Sequence, residues 1–258
     1  RLQRRQSLHR FLIPEIFRLI YRDPLRQRHF FHGRIYHFHS PSLGPVRLGI
    51  HSYHLEAIRK YGLHLKSDLK GEHFLPVKAC TAEEYKDKAD VVFVCVKGYS
   101  IDSIKDVLEK SARPDTLVIP ILNVYGTGPR IGRLVPSVKV LDGCIYIVGF
   151  VSGEGEITQM GRIFRLIFGA RPEQNIPHEA LDEIADVLQS CGIKAEVSDD
   201  INRDTFIKWA FISAMACTGA YHDVPMGEVQ HEGPVRDTFI GLSRESAEMG
   251  HRLGVAYP

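Results

Sequence analysis

ADVVFVCVKGYSIDSIKDVLEKSARPDTLVIPILN, residues 89–123, is the stretch that decides the fold. Its first part, Val91 to Val96, is a continuous β-branched and aromatic run, which is typical of a strand buried in a parallel sheet. Ile101 to Leu108 carries apolar residues at helical spacing, and Pro114 ends that pattern. A second apolar run follows at Leu117 to Leu122. The stretch therefore predicts one β-α-β unit of a parallel sheet.

Two polar side chains follow the two strands of this unit. Lys97 and Asn123 fall at the carboxyl ends of the strands, where such sheets bind their ligands. A lysine there can reach a phosphate or a nicotinamide ribose, and an asparagine amide offers a donor and an acceptor together. The alternative is that both side chains only solvate the strand ends.

Composition sets the broad class. With 258 residues, 44% apolar and 25% charged, the chain is expected to be a soluble protein of two domains. No apolar run approaches the length of a membrane span, and no signal peptide is evident. The five cysteines contain no CxxC pair, which indicates reduced thiols in a cytoplasmic protein rather than disulfides or metal ligands. The thirteen histidines include no HExxH motif, so we expect no metal site.

The first fifty residues differ from the rest. They contain ten arginines, no lysine and only two acidic residues, with one possible short helix at Ile13 to Tyr21. One interpretation is an arm that binds RNA or a membrane. The favoured interpretation is a segment that is not a native domain start, such as a frameshift or a misassembled sequence.

From His54 onward the chain alternates between helical and strand patterns. The predicted elements are a helix from His54 to Gly62, a polar β-like segment at 63–79, an apolar run at 138–151, a hairpin around 153–168, a helix at 178–190, a strand at 194–197, a mostly apolar helix at 201–220 and a final helix at 234–253. The hairpin is expected to add an antiparallel pair to the parallel sheet. We divide the chain into an aberrant segment at 1–50, a Rossmann-like domain at 51–198 and a helical domain at 199–258.

Lys208 is the strongest candidate for chemistry. It lies between Ile207 and Trp209 on a helix that is apolar over most of its surface, which predicts that the helix is buried. A buried ammonium needs a partner or a function. Its partner could be Asp204, one turn earlier. Its function could be that of a general acid with a lowered pKa. Glu245 has polar neighbours, and a solvated face is the default interpretation for it.

Several segments together resemble the ketopantoate reductase family. They are His54-Leu-Glu-Ala-Ile-Arg, Val94-Cys-Val-Lys-Gly-Tyr-Ser, Ile119-Pro-Ile-Leu-Asn, Leu141-Asp-Gly-Cys-Ile-Tyr, Gly155-Glu-Ile-Thr-Gln-Met-Gly and Phe206-Ile-Lys-Trp-Ala-Phe-Ile-Ser-Ala, in the order and with the gaps of that family.

The resemblance implies an α/β fold, in which a Rossmann-like, mostly parallel sheet that binds NADP precedes an all-helical domain. The implied reaction is reduction of 2-dehydropantoate to pantoate on the route to pantothenate and coenzyme A, with Lys208 as proton donor. The resemblance assigns cofactor contacts to Lys97, Asn123 and the backbone near Val148, and substrate contacts to Asn123, Lys208, Ser213 and Glu245. The implied partner is a small 2-keto acid, with a possible homodimer and with no nucleic acid or membrane.

The sequence departs from the family in several places. No GxGxxG turn occurs in residues 1–50, so the first β-α-β unit is aberrant or missing, and His51 stands where a basic residue is usual. Val124 replaces a glycine after Asn123. Ser213 is rotated by about 140° from Lys208 on an ideal helix. The chain also stops before a serine and a glutamate of the family, which suggests a fragment. The alternative function is therefore a non-catalytic remnant that dimerises or binds a ligand.

Overall fold

The computed structural model describes residues 11–12, 47–49 and 53–257. The helix expected at Ile13 to Tyr21 and the departure at His51 lie outside the described residues.

The described elements alternate strands with helices and then become helical. The helices are α1 Tyr53–Tyr61, α2 Lys105–Ser111, α3 Thr127–Leu134, α4 His178–Ser190, α5 Ile201–His222 and α6 Pro234–Arg252. The strands are β1 Phe11–Leu12, β2 Arg47–Gly49, β3 Leu63–Ser67, β4 Gly71–Leu75, β5 Lys78–Cys80, β6 Val91–Val94, β7 Leu117–Pro120, β8 Lys139–Val140, β9 Asp142–Gly153, β10 Glu156–Gly169 and β11 Lys194–Val197. Short 3-10 helices cover Gly98–Ile104, Pro172–Gln174 and Met226–Gln230. The predicted α/β fold is confirmed.

The predicted β-α-β unit forms the centre of a parallel sheet with the strand order β1-β6-β7-β8. All four residues of β6 and all four of β7 are buried, which explains why their sequences are apolar without alternation. Val94 pairs with Pro120, and the Ile121 amide donates to the Val94 carbonyl at 2.9 Å. The two strands therefore end level with each other.

A second sheet is built on the predicted hairpin. β9 and β10 pair antiparallel over most of their length, as expected, and Gly155 makes the turn at φ +70°. The same β10 pairs parallel with β3 at one end and with β11 at the other. The Leu141 amide donates to the Val118 carbonyl at 2.8 Å, so β9 continues directly from the edge of the central sheet.

Two short strands come from the first fifty residues, where the sequence analysis expected none. Phe11–Leu12 pairs parallel with Val91 and Val92, and Arg47–Gly49 pairs parallel with β5. That expectation was therefore wrong at these two places. Local composition did not show them, because strands of two or three residues are too short to have a readable pattern and are set by pairing with a neighbouring strand.

Helix α5 is only partly buried. Asp200 caps its first turn, by accepting a hydrogen bond from the Arg203 amide at 3.0 Å. Its first half packs on the sheet, where Ile201 joins Cys144 and Ile167 in one buried cluster. Its second half leaves Phe211 46% exposed, so the prediction of burial from apolar composition was wrong for that half.

This packing also bears on the domain division. The contact between α5 and β9 joins the two predicted parts directly, and the boundary between residues 198 and 199 stays a prediction. Within the described residues, none of the helices has both the length and the apolar character needed to cross a bilayer.

Candidate functional site

The carboxyl ends of β6 and β7 bring the first two predicted site residues to one edge. Lys97 and Asn123 each lie three residues beyond the paired residues Val94 and Pro120, and both are partly buried. Because the strands are parallel and adjacent, their following loops leave from the same edge of the sheet.

The two loops also contact each other. The Arg130 guanidinium donates to the Gly98 carbonyl at 3.3 Å, and a Cβ placed on Gly98 would lie 3.1 Å from Val124 Cγ2. Val124, which stands where the family usually has glycine, therefore packs over the glycine that follows Lys97. Because Gly98 has no side chain, there is room for Val124 in place of the usual glycine.

Lys208 reaches the same region from α5. It is only 7% exposed, and its Nζ lies 4.4 Å from the centre of the Tyr146 ring. Burial lowers the pKa of the Lys208 ammonium below its ordinary value, because the charged form is less solvated in the interior. The neighbouring Cys144 thiol is buried as well, and burial raises its pKa to about 12. That thiol is therefore neutral at physiological pH.

The ion pair between Lys208 and Asp204, which the spacing left open, is not formed. Asp204 instead accepts a hydrogen bond from the Ser198 hydroxyl at 2.6 Å and pairs with Arg203 Nε at 3.2 Å. Within residues 53–257, no carboxylate forms an ion pair with Lys208. Among the described residues the buried ammonium therefore has no neutralising charge, as a general acid near a reacting oxygen would.

Strand β9 places Tyr146 at the same edge. A Cβ on Gly143 would lie 3.1 Å from the Pro120 carbonyl oxygen, so Gly143 is level with the end of β7. Tyr146 lies three residues beyond Gly143, just as Asn123 lies three residues beyond Pro120. Lys208 therefore contacts the strand that runs on past the carboxyl end of β7.

An aromatic cluster fixes α5 against the loop that follows β7. The Tyr125 ring lies 5.2 Å from the Phe206 ring and 6.4 Å from the Trp209 ring, and its hydroxyl donates to Asn202. Phe206 and Trp209 flank Lys208 in sequence, and Tyr125 follows Asn123 by two residues. This contact holds the amide-bearing loop and the lysine-bearing helix in a fixed relation.

The remaining predicted site residues are on β9, α5 and α6. The Val148 side chain is exposed on β9 opposite Met160. Glu245 is exposed on α6. Ser213 is partly buried, and because α5 is one continuous α-helix, it stays rotated by about 140° from Lys208. Among the described residues, none of these three side chains forms a hydrogen bond or an ion pair with Lys208, and their roles stay predictions.

The carboxyl edge of the sheet offers groups that fit part of a dinucleotide. An ammonium at Lys97 and an amide at Asn123 suit the ribose and carboxamide of a nicotinamide, which need hydrogen-bond donors and acceptors. In the first turn of α3, the Gly128 amide already donates a hydrogen bond to buried Asp142 at 2.9 Å, so this amide cannot also bind a phosphate. The described residues therefore fit the nicotinamide half and contain no glycine turn for the pyrophosphate.

Two site residues were missed from the sequence. Tyr146 ends the family-like segment Leu141-Asp-Gly-Cys-Ile-Tyr but was given no role there, and Tyr125 lies in a turn outside the quoted segments. The available signal for Tyr146 was its amphipathic side chain on a strand that must pass the ligand edge. No local signal identified Tyr125, because its partners are about eighty residues away.

Comparison with known proteins gives a family. The family described as "Ketopantoate reductase PanE/ApbA" matches residues 36–173, more than half of the chain. The match begins at residue 36, whereas the sequence resemblance was seen only from His54, so part of the segment expected to be aberrant belongs to the family.

Two curated relatives match a larger share of the chain than residues 36–173. The chain is 27% identical over 203 residues to the uncharacterized oxidoreductase YkpB of Bacillus subtilis, a match covering 78% of this chain and 65% of that protein. It is 24% identical over 210 residues to 2-dehydropantoate 2-reductase of Pyrococcus horikoshii, covering 79% and 65%. The chain thus spans about two thirds of the length of these relatives.

Solved structures have the same fold. The crystal structure of 2-dehydropantoate 2-reductase from Porphyromonas gingivalis aligns with a TM-score of 0.72 at 26% identity, covering 84% of this chain and 75% of that one. A D-mandelate dehydrogenase, solved with NADH and anilino(oxo)acetate, aligns with a TM-score of 0.72 at 19% identity, covering 82% and 67%. The family consists of oxidoreductases that use NAD or NADP on a Rossmann-like fold. The matched residues and the fold together show that the chain belongs to the ketopantoate reductase PanE/ApbA family.

Proposed function

We propose that this chain carries the catalytic part of an NADPH-dependent reductase that converts 2-dehydropantoate to pantoate in pantothenate biosynthesis. The observation that carries the proposal is Lys208, a buried ammonium without a carboxylate partner in residues 53–257, whose Nζ lies over the Tyr146 ring of β9. Two relatives named as 2-dehydropantoate 2-reductases support the substrate class.

Lys208 acts as the general acid. When bound, the reduced nicotinamide supplies a hydride to the keto carbon. The keto oxygen then gains negative charge, which the Lys208 ammonium stabilises and neutralises by donating a proton. Burial favours this step, because a lowered lysine pKa makes the proton easier to lose. Burial of the Lys208 side chain strengthens this interaction further, because less water is present to screen it.

Asn123 and Lys97 orient the reactants. The Asn123 amide can hold the keto acid against the ring face, and alignment of donor and acceptor supplies much of the rate. Lys97 provides a positive charge for the cofactor, and the backbone near Val148 a further contact. Ser213 and Glu245 are assigned to the substrate through the family resemblance alone.

The test is NADPH oxidation that depends on 2-dehydropantoate. We expect Lys208→Ala to lower kcat by about 100-fold or more, the usual contribution of a positioned general acid. Lys194→Ala is the matched control, because that lysine is exposed on β11 and pairs with Glu196. Comparing NADH, and comparing benzoylformate as an aryl 2-keto acid, separates this reductase from a mandelate-type dehydrogenase. Unchanged activity in Lys208→Ala would contradict the assignment.

The second candidate is a ligand-binding or dimerising module without catalysis. It is favoured by the absence of a GxGxxG turn from the whole sequence. A ligand that binds the folded state raises the melting temperature. A melting temperature unchanged by NADPH, together with no NADPH oxidation, would support this module over the reductase.

A further inference from the structure

Tyr146 lies between two cationic side chains. Its ring centre is 4.4 Å from Lys208 Nζ and 5.7 Å from Arg165 Cζ, and Arg165 is its cross-strand neighbour on β10. An aromatic face carries partial negative charge and attracts cations within about 6 Å. Tyr146 therefore brings an aromatic face of β9 against the charge of Lys208 on α5.

The two cations differ in their other partners. Arg165 forms two hydrogen bonds with the Glu196 carboxylate, one of them from Nε at 2.9 Å. Its charge is thus already neutralised. Lys208 has no such carboxylate within residues 53–257, and Asp204 on its own helix is taken by Ser198 and Arg203. Of the two cations, Lys208 is the one that depends on the ring.

We propose that Tyr146 is a positioning residue for Lys208, whose ring face holds the ammonium over the carboxyl edge of the sheet. The catalytic meaning of this role rests on the reductase function proposed above, whereas the contact itself does not. The attraction is stronger than at an exposed site, because the ammonium is largely desolvated. It also limits the side chain to the rotamers that keep Nζ over the ring.

The same contact affects protonation. The ring face stabilises the charged form and so opposes the effect of burial, which lowers the pKa of Lys208. The other titratable or charged groups facing this region are Cys144 on β9, Arg165 on β10 and Asp204 on α5. Burial raises the pKa of both Cys144 and Tyr146, so both stay neutral at physiological pH.

The experiment measures the titration of Lys208 by trace acetylation with acetic anhydride at increasing pH, followed by mass spectrometry of the Lys208 peptide. In Tyr146→Leu we expect the labelling midpoint to fall by about one pH unit, because the ring face that stabilises the charged form is lost. In Tyr146→Phe the midpoint should stay within a few tenths of a unit, because the ring is kept. A midpoint that rises in Tyr146→Leu would mean that the ring only excludes water, and this would overturn the proposal.

A second series guards against misfolding of the leucine variant. Fluorinated phenylalanines at position 146 keep the shape of the ring and weaken its negative face. We expect the Lys208 midpoint to fall with each added fluorine, and an unchanged midpoint across the series would contradict the proposal. Both measurements use the chain without substrate or NADPH. If Lys208→Ala kept full reductase activity, the proposed function would fail while the dependence of the Lys208 titration on the ring would stand.

Discussion

At the scale of single residues, Lys208 has a side chain that suits a function but lowers the stability of the folded chain. Its ammonium is transferred from water into a largely buried site, and the described residues offer it an aromatic face rather than a carboxylate. Such a transfer costs free energy, and an apolar side chain of similar length would pack without that cost. A position under selection for stability alone would not keep a lysine here.

We therefore expect Lys208→Met to unfold at higher urea concentration than the unmodified chain at neutral pH. Burial lowers the pKa of Lys208 in the folded state, so below that pKa both folded and unfolded chains carry the proton and the full cost is present. As pH rises from the lowered value toward the ordinary lysine pKa of about 10.4, the folded chain sheds its proton and the difference between the two proteins should vanish.

Lys194→Met, at an exposed lysine, serves as the control and should show no such pH-dependent gain. A Lys208→Met variant less stable than the unmodified chain at neutral pH would show that the ammonium has a neutralising partner.

At the scale of elements, helices α3 and α6 each approach a neighbouring segment closely at one glycine. In α3, a Cβ at Gly128 would lie 2.5 Å from the Leu141 carbonyl oxygen and overlap the Asp142 carboxylate, whereas a Cβ at Gly132 would contact nothing within 4 Å. Asp142 also pairs with Arg171, so the anchor of α3 is itself fixed.

For α3 we expect Gly128→Ala to lower the free energy of unfolding by about 3 kcal/mol, because the added methyl group meets backbone and a fixed carboxylate. Gly132→Ala should raise it by about 0.5–1 kcal/mol, as alanine does inside a helix. Urea titration of both variants measures the difference. Equal effects of the two substitutions would show that α3 does not approach Asp142 closely.

Helix α6 allows the same comparison. A Cβ at Gly250 would lie 2.8 Å from the fully buried Phe206 ring, and one at Gly241 would meet nothing within 4 Å. Gly250→Ala should destabilise by about 1–2 kcal/mol because the ring must shift, and Gly241→Ala should stabilise by about 1 kcal/mol. Thermal unfolding distinguishes the opposite signs. If both variants were stabilised, α6 would not pack on the lysine-bearing helix as described.

At the scale of the whole molecule, Tyr125 joins the sheet edge to the helical part. Its ring packs on Phe206 and its hydroxyl donates to Asn202 at the start of α5. Burial raises the pKa of this hydroxyl, so it stays a donor at neutral pH. Through this contact, Tyr125 fixes the position of the loop that carries Asn123 relative to the helix that carries Lys208.

Tyr125→Ala should lower the free energy of unfolding by about 2–3 kcal/mol, and Tyr125→Phe by about 1 kcal/mol through the lost hydrogen bond. Hydrogen–deuterium exchange should increase in Tyr125→Ala both in residues 121–126 and in the first turns of α5. Tyr99→Ala is the control, because that ring is 79% exposed. Faster exchange in the loop alone would show that the two parts are not coupled through Tyr125.

Local patterns determined most of the elements. The run from Val91 to Val96, the helix from His178 to Ser190 and the capped start of α5 all follow from periodicity, turn glycines and a capping aspartate, which act over a few residues. The same patterns also placed Lys97 and Asn123 at one edge, because parallel strands share their carboxyl ends.

Only the tertiary structure decided which groups meet. Lys208 does not pair with Asp204, because Ser198 and Arg203 bind that carboxylate instead. The aromatic face at Tyr146 comes from a strand about sixty residues earlier in the chain. The sequence by itself therefore determined the elements and the candidate lysine, because these depend on short-range sterics and periodicity. The partners of that lysine were decided by packing between distant segments, which no local pattern encodes.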